Sequence, residues 1–193
     1  MKLLRVTCCL FMLLLSLVAF AFVAVHPAAA QGLNPPPPPG ATCQTTGQGT
    51  ICQGSFTASH VNTDIGVSCG SFQVLESATS TLRFTFFYNQ DGNGTQALLH
   101  IREAGTLSNS VTGKSVPEKA AFTVTRTFAT PGDFSTATVT ITGEFFKVTL
   151  PGSGLILNDV GRVVIAPDGT ITFEGGPHQV FNNQVQQLCA ALS

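Results

Sequence analysis

The chain has 193 residues, 44% of them hydrophobic and only 10% charged, with a formal net charge of −1. Ordinary domains carry roughly 25% charged residues, so this composition excludes a disordered chain, which needs low hydrophobicity and high charge. It also excludes a nucleic-acid binder, which needs clustered cations against phosphate, and the length suits one domain around one core.

Lys2 and Arg5 open the chain, Leu10 to Val25 is apolar except for Ser16, and Ala28-Ala29-Ala30 precedes Gln31. A positive start, an apolar stretch and a small-residue cleavage site describe a secretory leader. The 16-residue apolar run falls short of the roughly 20 residues a spanning helix needs. Residues 1–30 are therefore expected to be removed, leaving a secreted chain that begins at Gln31 and has no stable membrane anchor. That chain keeps seven cations against ten acids. Residues 31–41 form a Pro-rich linker in which Pro35 to Pro39 are consecutive. Proline fixes φ and has no N–H, so this stretch is expected to extend as a polyproline II spacer outside any sheet. A single domain follows over 42–193.

Four cysteines remain after the leader, Cys43, Cys52, Cys69 and Cys189, and an oxidising compartment pairs them as disulfides. A two-residue II′ turn at Gly47-Gln48, with glycine at its first central position, places Cys43 opposite Cys52. A non-hydrogen-bonded pair of that kind has Cα atoms about 4.5 Å apart, within disulfide range. Cys69 and Cys189 then join each other. The rival pattern joins Cys52 to Cys69 and Cys43 to Cys189.

From Thr42 onward the period is two. Leu82, Phe84, Phe86 and Tyr88 alternate with Thr81, Arg83, Thr85 and Phe87, and Ala137, Val139 and Ile141 alternate with threonines. An apolar face backed by a Thr-rich one is the signature of half-buried antiparallel strands. Turn residues recur at Asp91-Gly92-Asn93-Gly94, Thr112-Gly113-Lys114, Pro131-Gly132-Asp133, Pro151-Gly152-Ser153-Gly154, Asn158-Asp159 and Pro167-Asp168-Gly169, each suited to a tight turn. Strands are expected near 50–57, 71–77, 79–88, 95–103, 105–112, 120–128, 135–143, 145–150, 155–158, 160–166 and 170–175. Short connections favour a meander, so the expected fold is all-β: an up-and-down barrel or strongly curved sheet, with a two-sheet sandwich as the alternative. One short helix is expected over Asn182–Leu192, capped by Asn182 or Asn183, with Val185, Leu188, Cys189 and Leu192 on one face.

The stretch Gly161-Arg162-Val163-Val164-Ile165-Ala166-Pro167-Asp168-Gly169-Thr170-Ile171-Thr172-Phe173-Glu174-Gly175-Gly176-Pro177-His178 resembles one found in uncharacterised small secreted bacterial β proteins. It covers under a fifth of the chain and implies no activity.

Chemistry is sparse. His60, His100 and His178 are spread along the chain and are expected as isolated surface or rim residues. His100 and Glu103 fall on opposite faces of one strand, while Glu174 and His178 are separated by Gly175-Gly176-Pro177 rather than by one helical turn. Spacing thus offers no metal-ligand set, and no cofactor is expected. No nucleophile elbow is present. Asp91, Asp133, Asp159 and Asp168 sit in turn contexts, and Glu76, Glu103, Glu144 and Glu174 are strand residues that sequence does not bring together. A carbohydrate surface would stack Trp or Tyr, and the chain has no Trp and one Tyr. Its aromatics are Phe, of which Phe84, Phe86 and Phe122 fill or line the interior. Parity puts Arg126 on the face of Phe122 and Val124, and Glu103 on the face of Leu99 and Ile101. Such charges sit at strand ends reaching water, or they orient a ligand in an apolar pocket. The expected function is a non-enzymatic secreted domain that binds a small apolar ligand near Phe84, Phe86, Glu103, Phe122 and Arg126. An inert structural or interaction domain is the alternative, and an enzyme the third.

Overall fold

The computed structural model describes residues 32–180 and 182–193; the leader expected over 1–30 and the terminus at Gln31 lie outside the described residues. Eight antiparallel strands follow one another in chain order across a single sheet. They are β1 (Thr42–Thr46), β2 (Gly49–Ser68), β3 (Gln73–Tyr88), β4 (Gly94–Asn109), β5 (Ser115–Phe128), β6 (Ala137–Leu150), β7 (Gly154–Ile165) and β8 (Ile171–Gly175), followed by one helix, α1 (Gln186–Leu192). The meander and the all-β class are those the alternation predicts.

The sheet does not close into a barrel. Its outermost strands, β1 and β8, are five residues each, and the chain-order sheet ends on them without pairing one to the other. Most of β2 and about two-thirds of β7 therefore run past the ends of their outer neighbours. The inner strands are longer than expected. Residues 71–77 and 79–88 merge into β3, 95–103 and 105–112 into β4, 135–143 and 145–150 into β6, and 155–158 and 160–166 into β7. Asn158-Asp159 is consequently mid-strand and not a turn. Polar residues at 76, 103 and 159 interrupt the apolar pattern without interrupting the ladder.

Within β3, burial alternates strictly, with Val74, Glu76, Ala78, Ser80, Leu82, Phe84, Phe86 and Tyr88 all buried. This inward face is covered at both ends. At one end α1 lays Val185, Leu188 and Leu192 on Val74, Leu107, Val116, Val148 and Leu157, and the Cys69–Cys189 disulfide ties the helix down. The helix is shorter than expected, and Val185 stands at its N-cap without a side-chain bond. At the other end Leu33 and Ala41 pack against Cys52, Phe84, Phe86, Tyr88 and Phe128. The Pro-rich segment is thus folded onto the domain instead of standing clear as a spacer. Asn34 bonds through its backbone to Gly92 and Gly94 at 2.8 and 2.7 Å, and Tyr88 donates its hydroxyl to the Pro35 carbonyl at 3.0 Å.

The β1–β2 hairpin has the expected register, Cys43 opposite Cys52, and these two form the second disulfide, with Cα atoms 4.0 Å apart. Its turn is not the expected II′ type: positive φ falls on Gly49 (139°) and not on Gly47. Gly49 is required there because a Cβ would collide with the Tyr88 carbonyl.

Candidate functional site

The five residues expected around a ligand all point to the inward face, but they separate into two groups. Phe84 and Phe86 are buried under the N-terminal segment and act as core. Phe122, Arg126 and Glu103 are half-buried, with Arg126 toward one covered end, Glu103 toward the other and Phe122 between. On β5 the six-residue step from Ala120, which pairs with Glu103, to Arg126 spans roughly 20 Å at strand rise. Phe122 and Val124 lie between, flanked by Leu82 and Ile101 with Leu99 and Ile141 packed beside them. Arg126 has no acceptor among the described residues. Burial draws its pKa below the ordinary 12.5, although a guanidinium stays ionised in proteins.

Toward α1 the inward face carries acids. Glu76 of β3 and Glu118 of β5 are 4% and 2% exposed, and Glu103 of β4 is half-buried beside them. Each offers an oxygen within 4.8 Å of the other two. They converge because the floor beneath them is small. Gly105 pairs with Ala78 on one side and Glu118 on the other, and Ala120 pairs with Glu103.

Two neighbours orient the cluster. A bulge between His60 and Thr63 of β2, with Asn62 at φ 52°, brings His60 to the side of Glu76; bulges commonly re-aim side chains in this way. His60 Nε2 donates to Glu76 Oε2 at 2.9 Å, and Ser80 Oγ donates to Glu103 Oε2. The remaining demand is unmet: Glu76 Oε1 and both oxygens of Glu118 are buried without a hydrogen-bond partner. Burial, and then the charge of Glu103, push the Glu76 carboxyl up to about 7. Burial, followed by the charges of Glu76 and Glu103, push Glu118 up to about 8. Among the described residues no Lys or Arg pairs with any of the three.

Sequence reasoning named Glu76 and Glu103 as strand acids and passed over Glu118. The signal was parity: Glu76 is in phase with Val74 and Ala78, Glu103 with Ile101 and Leu107, and Glu118 with Val116 and Ala120. Glu144 and Glu174 stay outside the cluster. Glu144 pairs with Lys147 at 3.1 Å, and Glu174 is exposed.

The histidines also differ from the expected trio of isolated rim residues. Only His100 is exposed, bonding Thr123 at 2.9 Å on the outward face. His60 belongs to the acid cluster. His178 is 1% exposed and stacks on Phe145 with centroids 5.5 Å apart. Its Nδ1 lies 3.0 Å from Asp159 Oδ1, and its Nε2 lies 3.2 Å from the Gly175 carbonyl oxygen. The other Asp159 oxygen accepts the Val180 N–H at 2.7 Å. With both nitrogens engaged and the ring 1% exposed, this pair clamps the 176–180 segment to β7.

A cleft of about 350 Å³ lies apart from both groups, between Ser68, Cys69, Asn183, Val185, Gln186 and Cys189. Among the described residues no helix is long and apolar enough to cross a membrane. Comparison with protein-family models, curated proteins and solved structures finds no match.

Proposed function

We propose that the protein is a secreted, non-enzymatic binding domain that takes a small anionic amphiphile on the middle stretch of its inward face. The apolar body lies over Phe122, Val124, Leu99 and Ile141, and the anionic group meets Arg126. The leader pattern and two disulfides support the extracellular setting. The observation that carries the reading is Arg126, half-buried beside an apolar strip with no acceptor among the described residues. A guanidinium taken partly out of water gains most from a carboxylate or phosphate that it can grip with two N–H groups.

Fluorescence titration with a medium-chain carboxylate and with the alcohol of equal length tests it. The carboxylate is expected to bind at least about tenfold tighter, a difference of about 1.4 kcal/mol, and Arg126→Met is expected to abolish that preference while leaving the alcohol's affinity unchanged. Failure of both probes, or a carboxylate preference that survives Arg126→Met, overturns the reading in favour of an inert structural or interaction domain.

A further inference from the structure

We infer that Glu76, Glu103 and Glu118 form a calcium site on the inward face of the sheet. This inference does not depend on the amphiphile reading, since Arg126 and the acids lie at opposite ends of the apolar strip.

Three carboxylates near one another would by themselves be an ordinary acidic cluster. What distinguishes this one is Glu118, 2% exposed with neither oxygen hydrogen-bonded, aimed at two further carboxyls. Buried polar atoms in folded proteins nearly always have partners, and an unpaired buried carboxylate is among the most costly groups to leave unmet. The fold has gone some way to gather these acids: three adjacent strands supply them, and Gly105, Ala78 and Ala120 clear the space between.

The donor set selects the ion. All the ligand atoms that converge are carboxylate oxygens, with two free on Glu118 and one on Glu76 and Glu103 as the third group. Oxygen-only donors suit hard cations. A Ca²⁺ ion bonded at about 2.4 Å has opposite ligands about 4.8 Å apart, the spread within which these oxygens lie. Mg²⁺ demands near-ideal octahedral geometry and usually keeps several of its waters, so it is less suited to a cage of three carboxylates. His60 does not need to ligate. Its Nε2 already holds Glu76 Oε2, which leaves Oε1 turned to the cluster, and such outer contacts commonly orient ligands. His60 and Glu103 are half-buried and give the ion a route from solvent.

The test uses the purified chain with both disulfides intact, freed of metal by chelation and then followed by thermal unfolding and calorimetry. Millimolar Ca²⁺, the range in which extracellular calcium modules bind, is expected to raise the melting temperature, and Mg²⁺ at the same concentration to raise it less. Glu118→Gln and Glu103→Gln are each expected to weaken Ca²⁺ binding at least about tenfold, whereas Glu144→Gln on the outward face leaves it unchanged. Two variants at separate positions guard against one failing to fold. No response of the native chain to Ca²⁺ overturns the inference and leaves a proton-sharing carboxyl cluster. A response that persists undiminished in both variants, or a tighter Zn²⁺ response lost with His60→Ala, overturns it as well.

Discussion

Asp159 with His178, and Glu76 with Glu103 and Glu118, are two sets of ionisable side chains in the same apolar layer, one closed by hydrogen bonds and the other left open. In the first, both Asp159 oxygens and both ring nitrogens have partners. In the second, three buried carboxylate oxygens have none. A fully satisfied buried network rigidifies the fold around it, whereas a partly satisfied one leaves a standing electrostatic demand. The clamp holds the 176–180 segment on β7, and the acids await a charge from outside the chain. The contrast is also one of construction. The clamp joins a strand to a loop that can adjust to it, while the acids stand on three rigid neighbouring strands and cannot turn away.

The largest effect should come from breaking the closed set. Asp159→Ala removes the acceptor of both His178 Nδ1 and the Val180 N–H and strands a buried ring, so urea denaturation is expected to show a loss of about 3–5 kcal/mol. A loss below about 1 kcal/mol would erase the distinction between the two sets.

The open set should show itself through pH. Folding raises the carboxyl pKa values of Glu76 and Glu118 from an ordinary 4.5 to about 7 and about 8, so between these limits the folded chain binds more protons than the unfolded one. In chelator, stability is therefore highest below about pH 4.5 and declines by several kcal/mol as pH climbs through 7 and 8. His60 faces the pair from β2 and Glu103 from β4; Arg126 stands at the far end of the strip. Glu118→Gln should flatten the upper part of that decline. Asp133 and Asp168 are held below their ordinary 3.8 by bonds from Ser135 and Thr170, and they act only at acid pH, outside this window. Denaturant titrations at pH 5 and 8.5 read the difference, and equal stabilities would show that the acids are solvated.

A smaller effect probes the floor of the cluster. In Gly105→Ala the new methyl would collide with the Ser77 carbonyl and Ala78, with an expected cost of about 2 kcal/mol. Because the change also narrows the space between the acids, Ca²⁺ should recover less of the melting temperature than it does in the native chain. Smallest of all, Glu144→Gln breaks a solvent-facing pair with Lys147 and should move the denaturation midpoint by no more than about 0.5 kcal/mol. A larger shift there would mean that surface charge, and not burial, governs this chain.

Strand parity and the Cys43–Cys52 register are local properties, and the sequence by itself determined them, although the type of the hairpin turn was not among them. A period of two fixes which side chains share a face, and a two-residue loop sets the pairing of everything beyond it. Hence the meander, the inward direction of Phe84, Phe122, Glu103 and Arg126, and the hairpin disulfide could all be read before any coordinates. Only the tertiary structure decided where strands run on through polar residues. It also decided that the prolines fold back onto Tyr88, that β1 and β8 stop short of closing the sheet, and that Asp159 finds His178 nineteen residues away. Glu76, Glu103 and Glu118 are separated by 27 and 15 positions in the sequence, and they meet because the β3–β4 and β4–β5 registers set Gly105 between them. Those registers follow from turn lengths and bulges acting together across three strands, and parity along any one strand carries no information about its neighbour's offset.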